Sequence, residues 1–221
     1  MSKLLRREFI EEFGVDLLPY STDQLKLGEL VDWKGLLHQI IDFQHYTVVD
    51  CFLWSDRKIK KLNKELSNCK YSDAMFPDME IKDEFNSKSD LALPGVNINL
   101  SNKIEKSDLQ SFRFTNIKSK VLDGSTRRQL VRGIEDLKND NFALYKEKIR
   151  RYWIIEQLFY AESVAITINK NANIDLKAAL KADGIDNVTF DSNNSTKKSH
   201  TYIMKGINCP FAGELVKGRR F

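Results

Sequence analysis

The residues best placed by type and spacing to do chemistry are Asp50, Glu80 and Lys82. Asp50 lies in the β-prone run Val48 to Trp54, and Glu80-x-Lys82 closes the stretch Pro77-Asp78-Met79-Glu80-Ile81-Lys82. In one class of nucleases, carboxylates on neighbouring strands hold Mg2+ and a lysine beside them steadies the attacking hydroxide. That chemistry needs adjacent strands of one sheet. Residues 70–95 instead read as a mobile loop, with Pro77 and Pro94 and little periodicity. An acidic, solvated loop is the simpler reading of Glu80, and a Mg-dependent nuclease or nucleic-acid-binding protein stands as the alternative function.

No other catalytic set is spelled out. His38, His45 and His200 share no metal-binding spacing, and Cys51, Cys69 and Cys209 form no Cys-x-x-Cys pair, which suits reduced, buried thiols. There is no glycine-rich phosphate loop and no Gly-x-Ser-x-Gly elbow. No cofactor and no metal are therefore expected.

The net charge is only +4, yet the basic residues cluster: Lys58, Lys60 and Lys61; Arg127 and Arg128; Lys146, Lys148, Arg150 and Arg151; Lys197 and Lys198; Lys217, Arg219 and Arg220. Such clusters attract anionic lipid or nucleic acid, although any one of them also serves as a solvated face. The apolar runs are all too short for a membrane-crossing helix, and Met1 to Glu8 becomes charged at once, unlike a secretory signal. A cytoplasmic chain is expected, folded as one domain over 1–221.

The elements that position these residues follow from periodicity. Leu5, Phe9 and Phe13 repeat every four residues, predicting an amphipathic first helix that ends at Gly14 and carries Arg6 and Arg7 on its other face. Leu25 to Phe43 shows helical spacings and predicts one or two helices broken near Gly35, whereas Val48 to Trp54 predicts a buried strand. Lys58 to Lys70 predicts helix or loop. Ser125 or Thr126 is expected to cap a helix carrying Leu130, Val131, Ile134 and Leu137, with Asn139-Asp140-Asn141 as its stop. Tyr152 to Ala161 fits helix or strand. Val188 with Phe190, and Tyr202 to Met204, bracket a polar run that predicts a hairpin with a loose tip.

Two segments alternate with the period of a sheet. Val96, Ile98 and Leu100 form one, with Phe112 and Phe114 beyond it, and Val164, Ile166 and Ile168 form the other. A strand with one apolar and one neutral polar face packs on a core, or faces lipid once its backbone is paired with neighbours in a closed barrel. Lys103, Glu105, Lys106 and Asp108 must then lie at a hairpin tip or leave the membrane core.

The order of these elements resembles the pore-forming domain of gasdermins, above all the short bacterial members. The resemblance runs through Phe13-Gly14-Val15-Asp16-Leu17-Leu18-Pro19, Leu27-Gly28-Glu29-Leu30, Phe112-Arg113-Phe114-Thr115-Asn116-Ile117 and Ile154-Ile155-Glu156-Gln157-Leu158 through Ala161-Glu162-Ser163-Val164-Ala165-Ile166-Thr167-Ile168. Tyr202, Gly206 and Phe211-Ala212 resemble the family's last strands. The resemblance implies an α+β fold with a twisted, mainly antiparallel sheet flanked by helices. It also implies a monomer released by an activating protease, or from an inhibitory partner, to oligomerise into pores at the inner face of the cell membrane, with cell death as antiviral defence.

On this reading Arg6, Arg7, Lys58, Lys60 and Lys61 bind anionic lipid, and Val96, Ile98, Leu100, Val164, Ile166 and Ile168 enter the membrane. No catalysis is involved. A third reading is a soluble interaction domain in which both strands line an ordinary core.

Overall fold

In a computed structural model of the 221-residue chain, the structure describes residues 10–18, 25–34, 39–73, 79–82, 108–172, 175–182, 188–205 and 210–221. Its strands are β1 (Asp16–Leu17), β2 (Glu29–Lys34), β3 (Gln39–Thr47), β4 (Ser72–Asp73), β5 (Met79–Lys82), β6 (Leu109–Val121), β7 (Trp153–Asn169), β8 (Val188–Asp191), β9 (Ser199–Lys205) and β10 (Pro210–Lys217). Its helices are α1 (Asp56–Ser67), α2 (Gly124–Asp140), α3 (Phe142–Tyr145) and α4 (Leu176–Ala182), with a 3-10 turn at Val48–Cys51 and a π turn at Lys146–Arg150. The strand pairings are antiparallel between β2 and β3, β2 and β7, β5 and β6, β7 and β9, and β8 and β9. The fold is α+β, a mainly antiparallel sheet flanked by helices.

The chain divides into two compact units. The first comprises Met1–Asp23, Asp73–Lys118 and Phe159–Ala212, and the second Gln24–Ser72, Ser119–Leu158 and Gly213–Phe221. Strands β6, β7 and β10 each contribute residues to both.

In the first unit β9 pairs with β7 from Ser163 opposite Lys205 to Asn169 opposite Ser199, and β5 pairs with β6 from Met79 opposite Phe114 to Lys82 opposite Ser111. One face of this sheet is apolar. Phe112 and Phe114 of β6, Val164, Ile166 and Ile168 of β7, Met204 of β9 and Phe211 of β10 form one buried cluster with Leu176 and Leu180 of α4. Phe114 and Phe211 stack with ring centroids 4.3 Å apart. Strand β6 changes phase within this sheet. Its buried positions shift from Phe112 and Phe114 to Ile117, and Asn116, one of the two residues between, has φ +51°. Asparagine tolerates this left-handed conformation better than bulkier residues, so it takes up the extra residue. Gly14, at φ +73°, ends the helical turn of residues 10–13 and donates its N–H to the Ile10 carbonyl at 2.8 Å. Its sequence position anticipates that stop.

In the second unit Leu25 to Phe43 is not helical where it is described. Residues 29–34 and 39–47 form β2 and β3, with register shifts between Glu29 and Val31 and between Asp32 and Trp33. Each shift resets the two-residue alternation, so apolar residues fall at spacings that imitate a helix. The expected strand at Val48 to Trp54 is also replaced, by the 3-10 turn. Asp50 closes that turn: its Oδ2 accepts the Thr47 N–H at 2.8 Å and its Oδ1 accepts from Asn63 Nδ2 at 2.8 Å. Local side-chain bonds of this kind outcompete the β preference of Val48 and Val49. The 70–95 segment holds strand β5 rather than loop alone, and its residues 74–78 and 83–95 lie outside the described residues.

Tyr152 to Ala161, which fits helix or strand by sequence, belongs almost wholly to β7, a continuous strand of 17 residues. The tip between β8 and β9 is not loose. Asp191 Oδ1 accepts the N–H groups of Asn193 and Asn194 at 3.0 and 3.3 Å, and Ser195 Oγ donates to the Asp191 carbonyl at 2.6 Å.

Helix α2 is the frame of the second unit. Asp123, rather than Ser125 or Thr126, caps it, its Oδ1 accepting the N–H groups of those two residues, both at 2.9 Å. Hydrogen bonds from the Thr126 hydroxyl and then the Thr126 N–H hold the Asp123 carboxyl below the ordinary carboxylate range. Because the folded value is lowered, the cap's contribution is present above pH ~4 and is lost as pH falls through the depressed value. Asp123→Ala is expected to cost about 1 kcal/mol at pH 7 and nearly nothing once the carboxyl is protonated, as read by urea unfolding at the two pH values. Gly133 faces Phe52, and a Cβ there would lie 2.5 Å from ring atom Cζ. Alanine gains about 1 kcal/mol in helix propensity, but the Phe52 ring, 4% exposed and 4.8 Å from the Trp54 ring, has little room to retreat. Overpacking of this kind costs about 1–3 kcal/mol. Gly133→Ala is expected to lower Tm, and an unchanged or higher Tm would show that the ring moves freely.

Candidate membrane-binding and insertion surfaces

Helix α1 carries a basic face. Arg57, Lys60, Lys61 and Lys64 follow the i, i+3, i+4, i+7 spacing of one exposed stripe, while Leu62 and Leu66 are buried on the other side. Gln129 Nε2 on α2 donates to Glu65 Oε2 at 3.0 Å and ties α1 down. Lys58 lies beside the stripe with its Nζ 3.1 Å from the centroid of the Trp54 ring, and Trp54 Nε1 donates to Asp136 Oδ2 at 3.2 Å. Leu53, just ahead of the helix, is 57% exposed. Lys61 has the Glu65 carboxylate 3.8 Å away, one turn along the helix. Cations with an apolar side chain exposed at their edge suit a headgroup layer, where charge meets phosphate and Leu53 meets acyl chains.

Lys58, Lys60 and Lys61 are thus together and exposed, joined by Arg57 and Lys64, which complete the stripe. The helical spacing was the signal for the added pair. Arg6 and Arg7 lie outside the described residues, as do Val96, Ile98 and Leu100.

Val164, Ile166 and Ile168 lie on the buried face of β7, each no more than 1% exposed. The opposite face is polar and nearly neutral. Thr115 shares a short hydrogen bond with Ser163, Gln110 Nε2 donates to Asn169 Oδ1 at 3.3 Å, and Thr167 and Thr201 hydroxyls stand 3.1 Å apart. The charged residues of this face include Lys118, paired with Glu162, and Glu80, opposite Arg113. This face carries a cavity of about 320 Å3, lined by side chains that include Glu80, Arg113, Thr167 and Thr201.

Glu80 is on strand β5, opposite Arg113, with Lys82 two residues on, so that pair does sit on a strand. Asp50 belongs to the other compact unit, and its oxygens are engaged in closing the 3-10 turn. Among the described residues, no group of three or more His, Cys, Asp or Glu side chains could hold a metal ion. Burial, reinforced by Asp50, pushes the Cys51 thiol up to about 11, so it stays protonated and unreactive near neutral pH. No described helix is long and apolar enough to cross a membrane.

No protein-family sequence model matches this chain, and no curated protein matches it by sequence. Among solved structures, the chain is similar to a bacterial gasdermin from Bradyrhizobium tropiciagri, at 11% identity over 96% of this chain and 85% of that one, with a TM-score of 0.50. The gasdermin A3 membrane pore aligns at 12% identity over 96% of this chain and 87% of that one, with a TM-score of 0.34. Identities this low speak to architecture alone. The chain has a gasdermin-like fold.

Proposed function

We propose that this protein permeabilises membranes: it binds anionic lipid through Arg6, Arg7, Lys58, Lys60 and Lys61 and oligomerises as β-hairpins enter the bilayer. The observation that carries this reading is β7, 17 continuous residues with an apolar face at Val164, Ile166 and Ile168 and a hydroxyl and amide face opposite. Within a gasdermin-like fold, such a strand needs only neighbours to complete its pairing and lipid to replace its core partners. The segment Val96 to Leu100 supplies a second insertion strand. The protein rests in the cytoplasm, moves to the inner face of the cell membrane when a protease or the loss of an inhibitory partner activates it, and kills the cell as antiviral defence.

Each lysine near an anionic surface contributes about 1 kcal/mol of attraction. Replacing Lys58, Lys60 and Lys61 by Glu is therefore expected to reduce dye release from phosphatidylglycerol vesicles by at least about a hundredfold in protein concentration, with an unchanged circular dichroism spectrum. Release by the unmodified chain is expected to fall as salt shortens the Debye length from about 10 Å at 0.1 M to 3 Å at 1 M. Equal leakage by the variant in a folded state would remove α1 from the mechanism. No leakage by the activated parent chain at any lipid composition would remove pore formation itself.

A further inference from the structure

The cavity on the polar face of the first unit holds hydroxyl groups with bonding capacity to spare. Its floor crosses β6, β7 and β9, with Ala165 as the small residue on β7, and the tip between β8 and β9 supplies Asn194 and Thr196 as a wall. That wall is tied to the floor. The Thr201 hydroxyl donates to the Asn194 carbonyl at 3.1 Å, and the Thr201 N–H donates to Ser195 Oγ at 3.0 Å. A hydroxyl has one hydrogen, so in the 3.1 Å contact between Thr167 and Thr201 the hydrogen comes from Thr167, whose lone pairs stay open. Thr196 Oγ1 already accepts the N–H groups of Lys198 and Ser199, both at 3.1 Å. Its hydrogen therefore goes to Ser199 Oγ, 2.8 Å away, and the Ser199 hydrogen is left to donate. Ser111 lines the cavity at 6% exposure, and its hydroxyl has no partner among the described residues.

An acceptor at Thr167, a donor at Ser199 and a group that can do both at Ser111 thus stand on three neighbouring strands, spread over two inter-strand spacings of about 10 Å in all. Buried polar groups left unpaired are costly, so the site favours a ligand that both donates and accepts at several points. Charge narrows the choice. Glu80 and Arg113 are partners in register and cancel, and the other described lining residues are neutral. None of them is aromatic, so a flat base or ring system finds no stacking partner. Ala165 and the threonine methyl groups offer apolar surface to C–H groups between the polar contacts. The volume of about 320 Å3 falls at the lower end of the ~300–1,000 Å3 range of small-molecule sites.

We infer that this cavity binds a small neutral carbohydrate of one or two sugar rings, its hydroxyls meeting Ser111, Thr167 and Ser199. The test is amide NMR of the isotopically labelled full chain, titrated separately with glucose, galactose, mannose, N-acetylglucosamine, maltose, lactose and cellobiose. At least one is expected to give saturable shifts centred on Ser111, Thr167 and Ser199, with a Kd below about 10 mM. Ser111→Ala combined with Thr167→Val should weaken that binding at least tenfold with Tm maintained. Ala165→Ile, which fills the floor and removes no hydrogen bond, should abolish it. Thr189→Val, which removes a hydroxyl on β8 outside the cavity, should leave it unchanged. Vesicles carrying the bound sugar as a neutral glycolipid headgroup separate its sources: competition assigns a membrane sugar, and none assigns a soluble one. Saturation by none of the seven sugars would leave the cavity to water and overturn the site. Binding of free serine as tight as that of any sugar would overturn the carbohydrate assignment in favour of a zwitterion held by Glu80 and Arg113, and equal losses in the Thr189 and cavity variants would place the sugar elsewhere.

Discussion

Strand β7 must satisfy a backbone donor and acceptor at each of its 17 residues, and the sheet is organised around that requirement. Toward its start it pairs with β2 through Leu30 opposite Ile154 and Val31 opposite Trp153, and toward its end it pairs with β9 over seven successive residues. Strands β6 and β10 supply further pairing. Side-chain alternation follows from the same geometry. Once the backbone is paired on both edges, Val164, Ile166 and Ile168 share one face, and the helix that carries Leu176 and Leu180 has an apolar surface to cover.

Much of this was legible in the residues. The alternation of Val164 to Ile168, the helix after Asp123 and the glycine stop at Gly14 each rest on short-range rules that tertiary packing did not override. The region from Leu25 to Phe43 was not legible, because register shifts in β2 broke the alternation and Leu30 and Val31, adjacent in sequence, are both fully buried. A strand covered on both faces and bulged twice has no period to read. At Val48 to Cys51 the misleading signal was propensity, and the decisive one was a single carboxylate placed to bond the Thr47 N–H.

The surfaces divide in the same way. The α1 stripe could be read from helical spacing once Lys58 to Lys61 were seen as a cluster, since a helix face is a local property. The neighbourhood of Lys146 and Arg150 with Lys217 and Arg219 could not be, because it depends on the packing of Gly218 on Ile149. Cation clusters distant in sequence come together only after the fold has formed.

The length of β7 has a mechanical meaning. At roughly 3.3 Å per residue its contour is about 56 Å, longer than the ~9–11 residues a tilted strand needs to traverse the hydrocarbon of a bilayer. On the proposed insertion, the extended backbone is already formed in the folded chain and the packing of the side chains is what changes. Uncovering Val164, Ile166 and Ile168 in water costs roughly 5 kcal/mol or more, whereas acyl chains receive the same surface without that penalty. Under the proposed reading the strand is a latch held shut by the solvent, and opening it does not remake the chain's direction.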